Sequence, residues 1–476
     1  MKNKINTFLS IKKFFFTFLL FFTTVNSGFA KENLPLFDPM DVFNLEWATD
    51  PRVSPDGKSI VYVRKSNDIM KDRERSNLWQ ISIDGNDHRP LYSGLNSIRS
   101  PRWSPNGSKL AYISNDTGSQ QIHVRWMDDG ETAVISQLQQ SPSSLSWSPD
   151  GKWLAFTMNV KSESESIAEP RDKPLGAKWA KEPITVTSTR YQWDGQGIME
   201  PAYRHVFIVP SDGGSARQLT FGEFNHYGSL AWAPDSQKIF FSAHRSENWE
   251  LVSDEADIYS VDIVTKDLEQ ISDEVGAERS PSISPNGKMI AYSFEERRPL
   301  AYSPNQVAIM DINGNNKRII SKGLDGDADN LQWSDDNRSI FFSYDQRGIR
   351  KIGQLMLNGE IKNITNGLGG TTLGRPYLSG SYHHSAQNIA FTYGGGNRPA
   401  DVAVLMNGKV NVLTELNNDL LDQLKLGDIN ELVYDSYFDD QEIQGWYITP
   451  PDFDPQKKYP LILVIHGGPH LAYGPY

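Results

Sequence analysis

The sequence predicts a mainly β protein: a β-propeller of seven blades, followed by the first strands of an α/β unit. Three observations predict it. A short motif recurs along the chain: an aromatic or apolar residue, then Ser-Pro-Asp/Asn-Gly, then an apolar strand. The copies are spaced by roughly 50 residues, the length of a four-stranded blade. After about Leu421 the repeat stops, and a hairpin pattern, a Pro-rich connector and a continuous apolar run ending in two glycines take its place.

The copies are Val53-Ser54-Pro55-Asp56-Gly57 before Ile60, Trp103-Ser104-Pro105-Asn106-Gly107 before Leu110, and Trp147-Ser148-Pro149-Asp150-Gly151 before Leu154. Trp232-Ala233-Pro234-Asp235 precedes Ile239, Ile283-Ser284-Pro285-Asn286-Gly287 precedes Ile290, and Trp333-Ser334-Asp335-Asp336 precedes Ile340. A worn seventh copy runs from Tyr382 to Ile389. A second period-two stretch with a Gly turn follows each, as in Leu78 to Ile83 before Gly85 and Val307 to Met310 before Gly314. Asp-Gly and Asn-Gly turns between alternating strands make antiparallel hairpins. One such sheet cannot cover both its faces, whereas sheets stacked around an axis cover one another. Eight blades would result if the first or last were completed by a distant strand.

Before the repeat, Asp38 to Thr49 is expected to form a short helix, with Asp38 as N-cap, Pro39 in the first turn and Pro51 ending it. Within the repeat, the step from the third copy to the fourth is much the longest. Blade three is expected to carry an ordered loop or hairpin from about Val160 to Pro201, containing Lys178-Trp179 and Arg190-Tyr191-Gln192-Trp193-Asp194-Gly195. The Ser162 to Ser166 run in it reads as a solvated surface.

The chain has 476 residues, 47 Lys plus Arg and 59 Asp plus Glu, a formal charge of −12. That length suits two or three domains, and the acidic balance gives no support to nucleic-acid binding. Residues 1–30 read as a cleaved export signal: Lys2, Lys4, Lys12 and Lys13, then the apolar Phe14 to Val25, then Gly28-Phe29-Ala30. The apolar run is shorter than the roughly 20 residues a membrane span needs, so no stable anchor is expected after cleavage. There is no cysteine, which excludes disulfides, thiolate metal sites, a lipoprotein and a cysteine nucleophile. The expected location is a bacterial periplasm or the exterior.

The domains are therefore expected at 31–425, the propeller, and 426–476, the start of the second unit. In the latter, Glu431 to Tyr437 and Ile443 to Thr449 pair as a hairpin, and Pro450-Pro451 and Asp454-Pro455 form a rigid connector. Tyr459-Pro460-Leu461-Ile462-Leu463-Val464-Ile465 then suits a strand buried on both faces of a parallel sheet. It ends at His466-Gly467-Gly468-Pro469. The two glycines leave backbone that a ligand can approach closely. In α/β-hydrolases a loop of this kind follows the third strand and supplies one oxyanion-hole N–H.

A propeller followed by this start resembles the prolyl oligopeptidase family of serine peptidases, and most of all its secreted bacterial dipeptidyl-peptidase and acylaminoacyl-peptidase branch. The stretches that carry the resemblance are Gly176-Ala177-Lys178-Trp179, Arg190-Tyr191 with Asp194-Gly195, Asn248-Trp249-Glu250 before Asp257-Ile258-Tyr259, and Gly445-Trp446 through His470. The resemblance implies a Ser nucleophile with His as base and Asp to orient it, and no cofactor. It places the oxyanion donor at Gly468, with Gly467 shaping the loop and His466 and Pro469 completing the motif. The triad order Ser, Asp, His puts all three after this loop. No Gly-x-Ser-x-Gly occurs in the sequence. The chain is thus expected to be part of a longer reading frame and inactive alone. Glu223, Glu247 and Glu250 are candidates for holding a substrate amino terminus, since an exopeptidase needs a carboxylate there.

Other constellations read as structural. Asp325, Asp327 and Asp329 have calcium-loop spacing, but Asn330 stands where the loop needs Gly and Asp336 where it needs Glu. His383 and His384 are neighbours on a strand and point to opposite faces, so they do not share a metal. Gly394-Gly395-Gly396 lacks the strand-to-helix setting of a phosphate loop. The functional expectation is an exported serine peptidase acting on short peptides. The alternatives are a non-catalytic periplasmic propeller that binds a partner protein, and an esterase-like hydrolase.

Overall fold

The computed structural model describes residues 34–162, 171–180, 184–252, 254–298, 302–468 and 470–476. The expected export signal at 1–30, Pro469 and most of the Ser162 to Ser166 run lie outside them. Seven four-stranded antiparallel sheets span 46–92, 98–134, 143–218, 226–270, 276–319, 328–366 and 382–412. Each is built from strands that follow one another in the chain, interrupted only in blade 3 by the inserted hairpin, so no distant strand among the described residues completes the first or last blade, and the blades number seven. The first strands of successive blades touch one another and line the axis.

The second strand of each blade is buried on both sides, and its alternation divides it between two neighbours. Leu110 and Tyr112 pack against Val61 and Leu78 of blade 1, whereas Ala111 and Ile113 pack against Leu154 and Phe156 of blade 3. Seven apolar clusters result, one at each interface. The core is thus a ring of interfaces between sheets.

The recurring motif folds for local reasons. Ser54 N–H donates to Ser59 O at 2.8 Å, and Ser59 N–H returns to Ser54 Oγ at 3.0 Å. Asp56 Oδ1 accepts from Ser54 Oγ at 2.6 Å and from Lys58 N–H at 3.1 Å. Gly57 closes the turn at φ +71°, where a side chain is strained; Asn337 and Ser236 accept φ +61° and +62° at the equivalent place in blades 6 and 4. The Trp before Ser has a second task. Trp103 Nε1 donates to Arg52 O at 3.0 Å, Trp147 Nε1 to Arg102 O at 2.9 Å, and Trp333 Nε1 to Ser282 O at 2.9 Å. Each bond ties a blade to the one before it. Trp232 is the exception: its buried Nε1 has no partner among the described residues.

Blades 7 and 1 close the ring through side chains instead of a shared strand. Asn417 accepts from Glu46 N–H at 2.8 Å and donates to Glu46 O at 2.7 Å. Ser381 Oγ accepts from Asp50 N–H, and His383 Nδ1 accepts from Val53 N–H. His384 turns the other way and stacks on Phe341 of blade 6. Asp327, in the connection between blades 5 and 6, caps Asn305 N–H, and Asp329, in the first strand of blade 6, pairs with Arg350.

Two expectations need correction. The segment at 38–49 is only a 3-10 helix, Pro39–Asn44, capped by Asp38 as expected; Glu46–Val53 is already the inner strand of blade 1. Trp47, at 1% exposure, explains the early stop: it is worth more in the blade 1 core than on a helix. The hairpin forms as Ile429–Asp435 with Glu442–Ile448, but Leu461 to Ile465 forms no strand. These residues are exposed, Leu461 by 88% and Val464 by 70%. A β ladder needs a partner strand on at least one side, and no described segment pairs with this one.

Candidate active-site face

In each blade the Ser-Pro turns join strands one and two at one end of the ring. Antiparallel pairing then puts every two-to-three turn and every connection between blades at the other end. The hairpin and the segment after Ile465 dock at that other end. Trp446 lies against Gly348, where a Cβ would come within 2.9 Å of the indole, and donates to Tyr473 O at 3.1 Å. Arg347 pairs with Glu442 at 2.8 Å. Tyr473 bridges Tyr377, and Gly474 N–H donates to Pro376 O at 2.9 Å. Tyr476 lies against Gly369, and burial pushes its phenol up to about 12.

His466, Gly467 and Gly468 lie on this face. His466 Nδ1 donates to Gly467 O at 2.9 Å, and its ring stands 4.6 Å from Tyr473. Gly467 is open on every side, and the amides of Gly467 and Gly468 donate no hydrogen bond among the described residues. Gly468, at φ +150°, leaves no room for a side chain: a Cβ would meet His470 N at 2.9 Å. His470 stacks on Tyr302 of blade 5.

The blade 3 insertion rises from the same end. Its base is closed by Ser162 N–H donating to Pro201 O, and it contains a small hairpin, Gln192–Trp193 with Gly197–Ile198. Between it and blade 4 lies a cavity of about 890 Å³ lined by Arg190, Tyr191, Tyr203, Glu223, Tyr227, Trp249 and Glu250, among others. Arg190 lies over the Trp249 ring at 5.9 Å, and Tyr203 meets the same ring edge-on. Burial and the charges of Glu223 and Glu250 raise the Tyr203 phenol, which stays a neutral donor.

The three carboxylates expected to hold an amine separate here. Glu250 is engaged: Ser188 Oγ donates to Oε1 at 2.8 Å, and the N–H and hydroxyl of Thr189 both donate to Oε2 at 3.1 Å. Burial would raise its carboxyl, but these bonds outweigh it and hold Glu250 below the usual range. Glu223 is exposed in the cavity and takes part in no hydrogen bond or ion pair among the described residues. Glu247 is exposed and does not line the cavity. Ser188 and Thr189 escaped the sequence reasoning, because nothing in a Ser-Thr pair signals a carboxylate some sixty residues away. Behind the wall, His226 Nδ1 donates to Arg204 O at 2.8 Å while its Nε2 accepts from Arg245 at 2.7 Å. Burial pushes His226 down to about 3, so that imidazole is neutral and holds both arginines.

Residues 60–303, just over half of the chain, match the TolB beta propeller domain (PD40). This chain belongs to that propeller family. Among curated proteins it is similar to the uncharacterized peptidase YuxL of Bacillus subtilis, 26% identical over 91% of this chain and 66% of the relative. It is similar also to dipeptidyl-peptidase 5 of Porphyromonas gingivalis, 25% identical over 89% of this chain and 62% of the relative. The chain therefore spans just under two thirds of the relatives it matches. Among solved structures, the acylaminoacyl peptidase of Pyrococcus horikoshii matches 92% of this chain and 63% of its own, with TM-score 0.73 and 16% identity. The β-propeller domain of the Trilobed protease from Pyrococcus furiosus, described as having an open velcro topology, matches 79% of this chain and 97% of its own, with TM-score 0.54 and 15% identity. The propeller is thus of the kind found in the prolyl oligopeptidase family, as the sequence motifs indicate.

Proposed function

We propose that this chain is the propeller-bearing part of an exported serine peptidase that cleaves short peptides, of the dipeptidyl-peptidase or acylaminoacyl-peptidase type. The observation that carries the proposal is geometric. The open Gly467-Gly468 backbone and the Glu223 cavity lie at the same end of the ring, where a peptide could be held at its amino terminus near an oxyanion-binding loop. In this reading Gly468 N–H faces the developing oxyanion, a contact worth about 2.7–4 kcal/mol in comparable sites. Glu223 is the carboxylate left to receive a peptide ammonium. The Ser, Asp and His of the triad follow the loop in sequence, Leu461 to Ile465 pairs within the α/β-hydrolase sheet they belong to, and residues 1–476 alone are inactive. The similarity to named peptidases supports the reaction class.

The test uses the complete product of the gene. A fluorophosphonate should label one serine C-terminal to Tyr476, and dipeptidyl or N-acetyl-aminoacyl chromogenic peptides should be turned over. Glu223→Gln should raise KM for peptides with a free amino terminus and leave N-acetylated ones unchanged. An unlabelled full-length product that still binds a protein from the same compartment would replace the peptidase with a non-catalytic partner-binding propeller. Detection of the mature protein, beginning near Lys31, in a periplasmic or extracellular fraction checks export.

A further inference from the structure

Among its described residues, the blade 3 insertion has few contacts that hold it. Its hairpin residues are all exposed, and Leu175, Trp179 and Trp193 project into solvent. Beyond its base, the hydrogen bonds that join the described part of the insertion to the rest of the protein all end on one residue, Glu250. Glu250 belongs to a different blade, in the connection between Lys238–Ala243 and Asp257–Asp262. Three donors converge on its two oxygens, and Thr189 Oγ also reaches its backbone carbonyl at 3.5 Å. Ser188 Oγ in turn accepts from the backbone N–H of Arg190 at 3.2 Å, and the Arg190 guanidinium lies over Trp249. The cavity is lined by insertion residues, by residues of blade 3's own strands such as Asn159 and Tyr203, and by Tyr227, Trp249 and Glu250 of blade 4, so this junction fixes its outer wall.

We propose that Glu250 is a positioning residue: its carboxylate fastens residues 188–190 of the insertion to blade 4 and thereby fixes the outer wall of the cavity. The role is independent of which ligand the cavity takes, and so of the peptidase reading. A carboxylate suits it because it accepts from an amide and two hydroxyls at once with no proton to spare, and bonds to a charged acceptor are stronger than neutral ones.

Residues 31–476 can be tested from both sides of the junction. Limited trypsin cleavage at Lys178 and Arg190, and hydrogen exchange of the Thr189 amide, report on the wall; the urea midpoint reports on the propeller. Glu250→Ala and the double variant Ser188→Ala/Thr189→Ala should each speed cleavage and exchange about tenfold, the weight of one hydrogen bond to a charged group. The urea midpoint should not move. Glu250→Gln keeps one acceptor oxygen and should fall between Ala and wild type. If the double variant cleaves and exchanges at the wild-type rate, the proposal is wrong. It is equally wrong if Glu250→Gln loosens the wall as much as Ala does, because then the acceptor geometry does not matter.

Discussion

Ile340-Phe341-Phe342 and Leu461-Ile462-Leu463-Val464-Ile465 are the same kind of sequence with opposite outcomes. Both are continuous apolar runs rich in β-branched or aromatic residues, and both follow a turn. The first is the second strand of blade 6, paired on both edges and buried at 0–8%. The second is exposed throughout and pairs with nothing described. Intrinsic preference therefore does not make a strand. Pairing and face-to-face burial do, and in the blades both come from segments within about 50 residues, whereas a parallel strand depends on distant ones.

The largest effect that sharpens this contrast is in the core. Phe342→Ala should destabilise the protein by about 3–5 kcal/mol in urea unfolding, because it empties a well-packed site. Ile462→Ala, with both variants made in residues 31–476, should change stability by less than about 0.5 kcal/mol. A comparable loss from the second substitution would show that the terminal run is packed, and would break the comparison. The second effect contrasts two blades. Trp103→Phe deletes an inter-blade bond, so it should cost about 1 kcal/mol more than Trp232→Phe, whose indole N–H has no partner among the described residues. Equal losses would mean that the inter-blade bond contributes nothing.

The smallest effect is a pH dependence confined to the interface of blades 4 and 5. Burial, then the charges of Glu278, Glu255 and Asp273, push Asp257 up to about 7, against a lowering by Lys317. The folded state thus holds a proton that the unfolded chain loses near pH 4. Stability from this group is complete below about pH 4, falls as pH rises through the window from 4 to 7, and is level above it. Asp257→Asn should flatten that decline in thermal unfolding between pH 4 and 8 and raise the midpoint at pH 8. Solvent screening makes the change modest. An unchanged slope would show that Asp257 titrates normally.

Much of the propeller was legible because its determinants are local. The Ser-Pro-Asp/Asn-Gly turn closes on itself within six residues, so each copy announces a blade and the copies count them. The helix at 38–49 was overextended because the pull on this segment comes from more than three hundred residues away: Ala48 packs with Ala390, Val402 and Val404 of blade 7, and Asn417 bonds the backbone of Glu46. The candidate site was legible only in part. Glu223, Glu250 and the two glycines could be picked out by residue type, and the topology places them at one end of the ring.

By itself the sequence determined the architecture and seven copies of the blade motif, since turn chemistry and strand alternation act over a few residues; that no eighth blade forms among the described residues, and the end of the ring where the terminal glycines lie, were decided by the tertiary structure. The tertiary structure decided what each carboxylate does. Glu250 and Glu223 are alike in sequence, but Ser188 and Thr189 fold onto the first and nothing described folds onto the second. A carboxylate's role is set by the donors that reach it in space, and those come from another blade.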